Sequence, residues 1–209
     1  MKGIFILINK SIEIFFDSLF PPSEHTLRAR KITEETLQDI FAPDVYQNVH
    51  TMCSYKNPLV KSAIWELKYR DNRRIAKVVG MLLGKTLLAD IKKPHLIIPI
   101  PLSPKRYRER GYNQVERLAS PALKHHPHLI LRTDILHRNH YTTSQTRLSR
   151  HERLRNLQDA FFVQDPSHVQ GRDIILLDDV VTTGATLHHA RNTLLRAGAR
   201  SVTLIAVAH

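Results

Sequence analysis

The last third of the chain alternates between continuous apolar runs and apolar positions spaced for one face of a helix. Ile174–Leu177 is an unbroken apolar run, which is typical of a strand buried on both faces of a parallel sheet. After a polar loop, apolar residues recur at helical spacing at Leu187, Ala190, Leu194 and Leu195. Ser201–Val207 then predicts the next strand. This order favours an α/β fold with a doubly wound parallel sheet, in which ligands bind at the carboxyl ends of the strands.

The middle of the chain repeats this order less sharply. Leu96–Ile98 predicts a strand, and the charged stretch Leu102–Gly111 predicts a loop before a helix that begins near Val115. Ile135-Leu136 predicts a weak further strand, which leads into the polar, arginine-rich stretch Arg138–Gln158. A polar connection of that length inside a compact domain is usually functional or mobile.

Helical spacing also marks the first half of the chain. One buried helix face is predicted from Ile75, Val78, Val79, Leu82 and Leu83. Trp65 and Tyr69 stand four residues apart, which predicts a packed helix face, and Thr33 predicts the cap of a short helix over Thr33–Ile40. Three histidines, at positions 125, 126 and 128, predict a surface loop.

The chain opens with an apolar segment that ends at Pro21-Pro22. Its spacing predicts an amphipathic helix with a buried side, the alternative being a helix that lies on a membrane surface. Charged residues interrupt it well before the roughly 18 apolar residues that a membrane span needs. No signal peptide is visible, so we expect no membrane span and a cytoplasmic protein.

The net charge is +12 for 209 residues, and it is unevenly spread. Residues 1–50 hold five basic and seven acidic side chains, whereas residues 101–160 hold twelve and five. The excess could hold a small phosphorylated ligand or a nucleic acid, or it could simply be a basic surface. The lone Cys53 excludes an intramolecular disulfide framework and any Cys-rich zinc module.

Two adjacent acids and a threonine-rich loop follow the apolar run Ile174–Leu177. The segment reads Asp178-Asp179-Val180-Val181-Thr182-Thr183-Gly184-Ala185-Thr186. Backbone N–H groups at the start of a helix lack partners within the helix and suit a phosphate, and the threonine hydroxyls add donors. Two ionised carboxylates need partners, which vicinal sugar hydroxyls or a hydrated divalent cation supply. The segment therefore predicts a site for a sugar 5′-phosphate. An ordinary capped helix start would explain only one threonine and one acid.

The run from Ile174 to Thr186 resembles the phosphoribosyl pyrophosphate (PRPP) motif of type I phosphoribosyltransferases. Further segments resemble the ComF (GntX-like) branch of that superfamily: Leu67–Tyr69, Ile98–Ser103, Arg106–Gln114, Gln145-Thr146, Leu148–Arg150, Glu152-Arg153 and Asn156. The resemblance implies a type I phosphoribosyltransferase-like doubly wound parallel sheet with a small helical N-terminal elaboration. We accordingly divide the chain into the N-terminal elaboration, residues 1–50, and a phosphoribosyltransferase-like domain, residues 51–209.

The resemblance also implies roles for individual residues. Asp178 and Asp179 would contact the ribose hydroxyls of PRPP, directly or through Mg²⁺, and with Arg150 they are the candidate catalytic residues. The rest of the PRPP site would be Val181, Thr182, Thr183, Gly184, Ala185 and Thr186. Pyrophosphate and loop contacts would come from Leu102, Ser103, Lys105, Arg106, Arg110, Arg147 and Arg153. The stretch Arg138–Arg153 would be a flexible loop that closes over the reacting centre.

Two functions are compatible with these residues. One is a Mg²⁺-dependent transferase that moves the phosphoribosyl group of PRPP to an unidentified acceptor. The other is a non-catalytic protein that senses PRPP or handles DNA, with single-stranded DNA or the competence machinery as its partner, as the ComF resemblance implies. Thr182 stands where hypoxanthine-type relatives carry a carboxylate, which disfavours purine salvage. Tyr112-Asn113-Gln114 could contact the acceptor or simply start a helix.

The resemblance breaks directly after Pro22. Many ComF proteins carry a Cys-rich zinc element there, whereas this chain has Ser23, Glu24, His25 and Thr26. With no cysteine before Cys53, we predict that the zinc element is absent.

Overall fold

The computed structural model describes residues 22–139 and 160–209, and a six-stranded sheet forms its centre. The strands, in chain order, are β1 (Asp44–Tyr46), β2 (Val49–Cys53), β3 (His95–Pro99), β4 (Leu129–Leu131), β5 (Leu136–Arg138), β6 (Phe161–Val163), β7 (Asp173–Val180) and β8 (Ser201–Ala208). The central sheet has the order β1-β2-β8-β7-β3-β4. All of its pairs are parallel except the β1–β2 hairpin, while β5 and β6 form a separate antiparallel ribbon.

Helices cover both faces of the sheet. They are α1 (Glu24–Arg30), α2 (Glu34–Asp39), α3 (Pro58–Tyr69), α4 (Arg73–Lys85), α5 (Pro104–Arg110), α6 (Gln114–Ala122) and α7 (Ala185–Arg196). On one face, Ile175 and Leu177 of β7 pack in a core with helices α1 to α4 and α6. On the other face, Ile174 and Leu176 pack with α7 and the β5–β6 ribbon. The predicted α/β fold with a doubly wound, mostly parallel sheet is confirmed.

The central strand β7 is apolar on both sides, as its sequence predicted. Ile174, Ile175, Leu176 and Leu177 are each no more than 1% exposed. Burying a side chain of this size contributes about 1.5–3 kcal/mol to folding, so these four residues anchor the sheet at the point where the acids follow. The predicted helix and strand after them are confirmed as α7 and β8.

The first described helices share the core of the sheet. Ala29, Ile32 and Leu37 are buried in the same cluster as α3 and α4. The Arg30 guanidinium lies 3.0 Å from the carboxylate of Glu66, which is 2% exposed, and this pair joins α1 to α3. The predicted short helix is confirmed as α2, because the Thr33 side chain accepts a hydrogen bond from the Thr36 N–H.

Helices α4 and α6 approach each other unusually closely. A Cβ at Gly80 would collide with the Leu118 carbonyl, and one at Gly84 would collide with the Ala122 carbonyl. Glycine is needed at both positions because only a residue without Cβ permits this backbone contact. The close contact fixes α6, whose first residue is Gln114, against α4.

The predicted loop Leu102–Gly111 is wrong, because most of it is the helix α5. Ser103 caps the helix by accepting a hydrogen bond from the Arg106 N–H, Pro104 occupies its first turn, and Gly111 ends it with a φ of 73°. These are ordinary start and stop signals for a helix. The density of charge obscured them, because a solvated helix with no buried residue lacks the apolar spacing on which the prediction relied.

The weak strand predicted at Ile135-Leu136 is confirmed as β5, which begins at Leu136 and belongs to the separate ribbon rather than to the central sheet. Two other local predictions need correction. The histidine segment is only partly a surface loop, because the rings of His126 and His128 bond to the carbonyls of Gly84 and Ile91. The predicted packed face of Trp65 and Tyr69 is wrong as well, since these side chains are 44% and 58% exposed.

Within residues 22–139 and 160–209, no helix has the length and hydrophobicity to span a bilayer. The predicted N-terminal apolar helix lies outside the described residues. So does most of the predicted closing loop, including Arg147, Arg150 and Arg153.

Candidate functional site

Strand β7 carries its two acids to the carboxyl end of the sheet and directs them to opposite faces, as alternation along a strand requires. Asp179 is 4% exposed and faces the helices α3 and α6. Its carboxylate lies 3.1 Å from the Lys68 ammonium and accepts a hydrogen bond of 2.6 Å from the Gln114 amide. The Gln114 carbonyl oxygen in turn accepts from the Arg110 guanidinium at 3.0 Å.

These contacts correct one sequence-based interpretation, which left both acids without partners from the protein. Asp179 has two partners, and both come from helices on the face opposite α7. A buried carboxylate that is paired and hydrogen-bonded is a structural element as well as a candidate ligand. Neither Lys68 nor Gln114 was predicted to touch an acid, because each is distant from Asp179 in sequence.

Asp178 differs from Asp179 in its burial and in its partners. It is half-buried, and its carboxylate accepts a hydrogen bond of 2.8 Å from the Asp179 N–H. In the described parts of the chain no cationic side chain lies within ion-pair distance of it. Burial and the adjacent Asp179 charge raise the pKa of Asp178 to about 7. A bound cation or a pair of hydroxyl donors would stabilise the ionised carboxylate against both effects. Carboxylate oxygens are suitable ligands for Mg²⁺.

The loop after β7 leaves the start of α7 open. Six of the seven α-helices in the described residues begin with a Ser, Thr or Asn side chain that accepts from the first turn. Helix α7 instead begins at Gly184, which has a φ of 73° and provides no side-chain cap. The Ala185 N–H donates to the Thr183 hydroxyl at the long distance of 3.4 Å, and the next N–H groups of the first turn are available to an anion. The side chains of Thr182, Thr183 and Thr186 are exposed beside them.

A small cavity joins the acid and this loop. Its volume is about 40 Å³, and it is lined by Asp178, Val180, Val181, Thr182, Thr183, Gly184, Ala185, Thr186 and Leu187. The structure thus brings together the residues assigned to the sugar phosphate, with the exception of Asp179, which faces away from this cavity.

Two arginines lie on the same side of the sheet as Asp178. Arg138 ends β5 and stacks on Phe161, with 5.4 Å between its guanidinium carbon and the ring centre. Its Nε is buried and has no hydrogen-bond partner among the described residues. Burial and the charge of nearby Arg106 lower the pKa of Arg138, whereas Asp178 raises it. Two like charges beside an unmatched donor favour the binding of an anion.

The other residues predicted to face the pyrophosphate differ in their surroundings, and some of them are engaged in contacts within the fold. Leu102 and Ser103 precede α5, and the Ser103 hydroxyl is engaged in capping it. Lys105 is exposed. Arg110 points away from Asp178, because it bonds to Gln114 and lies over the Tyr69 ring at 5.1 Å.

The contacts of Tyr112, Asn113 and Gln114 favour a role at the start of α6. The Tyr112 hydroxyl donates to the Leu67 carbonyl and accepts from the Asp71 N–H. Asn113 caps α6 and donates to the Ile100 carbonyl. With Gln114 bound to Asp179, all three side chains make hydrogen bonds within the fold.

A second and larger cavity adjoins the first, and no pattern in the sequence indicated it. Its volume is about 620 Å³, within the roughly 300–1,000 Å³ range of small-molecule sites. It shares the wall Val180–Thr182 with the small cavity, and its other lining residues are Tyr46, Ser54, Tyr55, Lys56, Lys61 and His209. They come from separate segments that meet only at the carboxyl end of the sheet.

The exposed aromatic pair on α3 belongs to a cationic surface. Trp65 and Tyr69 have ring centres 5.5 Å apart. Arg70 lies over Trp65 at 5.7 Å, and Arg110 lies over Tyr69. We call these four residues the Trp65 patch, which connects to Asp179 through Arg110 and Gln114.

Two solved structures align with part of this chain at low sequence identity. The allosteric regulatory enzyme of purine biosynthesis aligns with a TM-score of 0.46 and 15% identity, over 68% of this chain and 29% of that one. A hypoxanthine phosphoribosyltransferase from Staphylococcus aureus aligns with a TM-score of 0.36 and 16% identity, over 64% and 62%.

Sequence relatives are much closer, although no family model matches the chain. The DNA utilization protein YhgH of Shigella flexneri is 35% identical over 165 residues, which cover 77% of this chain and 71% of that protein. The competence protein ComFC of Bacillus subtilis is 32% identical over 145 residues, which cover 68% of this chain and 56% of that protein. The ComF resemblance predicted from the motifs is thereby confirmed, and the chain belongs to the family of the DNA utilization protein YhgH and the competence protein ComFC.

Proposed function

We propose that the chain binds PRPP with Mg²⁺ at the carboxyl end of β7 and transfers the phosphoribosyl group to an acceptor. The observation that carries the proposal is the proximity of Asp178, whose carboxylate forms no ion pair within the described chain, to the start of α7, where Gly184 provides no side-chain cap. An acid and an anion site joined by one small cavity match the diol and the 5′-phosphate of one sugar.

Each part of PRPP would be bound by a different group of residues. The N–H groups after Gly184 and the threonine hydroxyls would hold the 5′-phosphate. Asp178 would hold the ribose hydroxyls, directly or through Mg²⁺, and when bound the metal would neutralise charge on the pyrophosphate. Arg106 and Arg138 lie on the same side and would receive the pyrophosphate as negative charge develops on it. Lys68 and Gln114 hold the Asp179 carboxylate away from the sugar, and the Asp179 N–H donates to the Asp178 carboxylate. Asp179 would therefore act as a residue that positions Asp178.

The phosphate assignment is tested by Thr186→Val, which removes a hydroxyl and keeps the shape of the side chain. We expect PRPP affinity in the presence of Mg²⁺ to fall at least about tenfold, because one hydrogen bond to a charged group is worth roughly 1.5 kcal/mol. Calorimetric titration with PRPP measures this change.

The control is Thr203→Val in β8, which is half-buried and pairs with Ile175 away from the carboxyl end. It should leave PRPP affinity unchanged. If the unaltered protein binds no PRPP with Mg²⁺, or if Thr186→Val binds it as well as the parent does, the phosphate assignment is wrong.

The Trp65 patch favours a second candidate function, a DNA-handling protein that binds a single strand. Exposed aromatic rings flanked by arginines suit the stacking of successive bases, and stacking is worth about 1–3 kcal/mol per base. The names of the relatives, DNA utilization protein and competence protein, agree with this function.

Replacing both rings, with Trp65→Ala and Tyr69→Ala, should weaken binding of a short oligothymidine at least roughly 30-fold if this function is correct, since two stacked bases would be lost. The rings are exposed, so the fold should survive. Fluorescence anisotropy of a labelled strand measures the affinity, and Phe162→Ala, an exposed aromatic residue in β6, is the matched control. An unchanged affinity in the double variant would remove the patch from DNA binding.

A further inference from the structure

The larger cavity has the position expected of a site for a second reactant. It lies at the carboxyl ends of β2, β7 and β8, and Val180–Thr182 separate it from the small cavity that contains Asp178. A ligand in the larger cavity would therefore lie directly beside a sugar bound in the smaller one. Its other lining residues have no part in the proposed PRPP site.

The walls of this cavity are aromatic. The rings of Tyr46 and His209 stack with centres 5.0 Å apart and an angle of 19° between their planes, and Tyr55 lines the cavity beside them. The orientation of His209 is fixed, because its Nδ1 bonds to the Thr51 hydroxyl at 3.0 Å. Tyr46 precedes a two-residue turn whose Gln47 carbonyl bonds to the His188 ring on α7. Fixed aromatic walls favour a flat ring as ligand.

The charge of the cavity is positive. Lys56 and Lys61 line it, and neither pairs with a carboxylate of the described chain. The only described acid in contact with a lining side chain is Asp44, which lies 3.5 Å from the His209 Nε2 and is itself 59% exposed. None of the lining residues is an Asp, Glu, Asn or Gln, so the cavity has no carboxylate or amide side chain to pair with a neutral nucleobase, and its polar side chains are hydroxyls, two ammonium groups and one imidazole.

We infer that this cavity binds the acceptor, and that the acceptor is a flat heteroaromatic ring that carries a carboxylate. The inference rests on the proposed phosphoribosyl transfer for its neighbouring sugar. The ring would lie against Tyr46, His209 and Tyr55, and the two lysines would neutralise the carboxylate.

The transfer then balances without an additional reactant. The lone pair of a ring nitrogen that bears no hydrogen forms a bond to C1 of PRPP. The bond from C1 to the pyrophosphate oxygen breaks, and its electron pair leaves with pyrophosphate. The positive charge that the ring gains is offset by the carboxylate, so no proton has to move.

The test compares each acid with its neutral counterpart. Nicotinate and nicotinamide form one pair, and isonicotinate and isonicotinamide form another, and each of the four has a pyridine nitrogen that bears no hydrogen. Binding is measured by calorimetry or ligand-observed NMR, with PRPP and Mg²⁺ and also without them. We expect each acid to bind at least roughly tenfold more tightly than its neutral partner, with an advantage that shrinks as salt is added.

Two variants test whether the lysines of the cavity bind the carboxylate of the acid. Lys56→Met and Lys61→Met should each weaken binding of the acid at least threefold and leave the neutral ring and PRPP unaffected. The control is Lys77→Met, an exposed lysine on α4 that does not line this cavity.

The outcomes separate this inference from the proposed function. If PRPP binds with Mg²⁺ but the acids bind no better than the neutral rings, or both lysine variants bind the acid normally, the inference is wrong and the proposed function stands. If PRPP does not bind, the proposed function fails. The comparison without PRPP then decides by itself whether the cavity selects carboxylates.

Discussion

Asp178→Asn should reduce the affinity for PRPP with Mg²⁺ about 100-fold, and it should also make the ligand-free protein more stable above pH 7. The first effect follows because the carboxylate would lose its contacts with the sugar hydroxyls or the metal, worth roughly 3 kcal/mol. The second follows because the carboxylate is destabilised in the free protein by burial and by the charge of Asp179. Carboxylates with a raised pKa in a cleft are common at functional sites, which agrees with a role of Asp178 in binding a ligand.

The sign of the pH dependence follows from the raised pKa of Asp178, about 7 against 3.8 for a free side chain. Between these values the folded protein retains a proton that the unfolded chain releases, so the free energy of unfolding falls as pH rises from about 4 to 7. The asparagine side chain of the variant does not titrate in this range. The variant should therefore match the parent near pH 4 and exceed it by about 1–3 kcal/mol at pH 8.

Binding should show the opposite trend. PRPP with Mg²⁺ needs the ionised carboxylate, so its affinity for the parent should rise as pH increases through 7. Chemical unfolding at pH 4, 6 and 8 measures stability, and calorimetry over the same upper range measures affinity. Asp173→Asn, at the other end of β7, is the matched control and should leave PRPP affinity unchanged. A variant that is less stable than the parent at pH 8 would show that Asp178 is structural.

The sequence predicted the parts of the site whose signals are contiguous. The strand, the acids, the loop and the helix follow one another over Ile174–Leu195, so local periodicity and helix-start chemistry were enough. The cap on α2 and the buried face of α4 were predicted for the same reason. In each case the physical cause acts within a few turns of chain.

The sequence did not predict parts that form only when distant segments meet. The larger cavity is built from the β1–β2 hairpin, the start of α3 and the ends of β7 and β8, and no spacing rule joins them. Arg138 was assigned to a polar connection, but the β5–β6 ribbon places it on Phe161 beside the site. Trp65 and Tyr69 have the spacing of a packed face, and periodicity alone does not distinguish burial from an exposed functional surface.

The sequence also did not predict the contact of Lys68 with Asp179, because the two residues are distant along the chain. Replacing Lys68 should have the largest effect on folding. Lys68→Met should destabilise the protein by about 2–4 kcal/mol at pH 8, because it leaves the buried carboxylate of Asp179 without its cation. The lower part of that range is favoured, since the Lys68 side chain is 23% exposed and Gln114 still donates to the acid. Lys68 also lowers the pKa of Asp178, so the pH at which PRPP affinity rises should move upward in the variant.

Denaturant unfolding of three variants separates charge from packing. The double variant Lys68→Met with Asp179→Asn contains no buried charge at this position, and it should recover at least half of the lost stability. Lys61→Met, on the same helix but exposed, should change stability by less than about 0.5 kcal/mol. If Lys68→Met costs under about 1 kcal/mol, the contact with Asp179 does not hold the acid in place. In that case Asp179 would have the same freedom as Asp178, and the two carboxylates would act together on the sugar rather than as one ligand and one positioning residue.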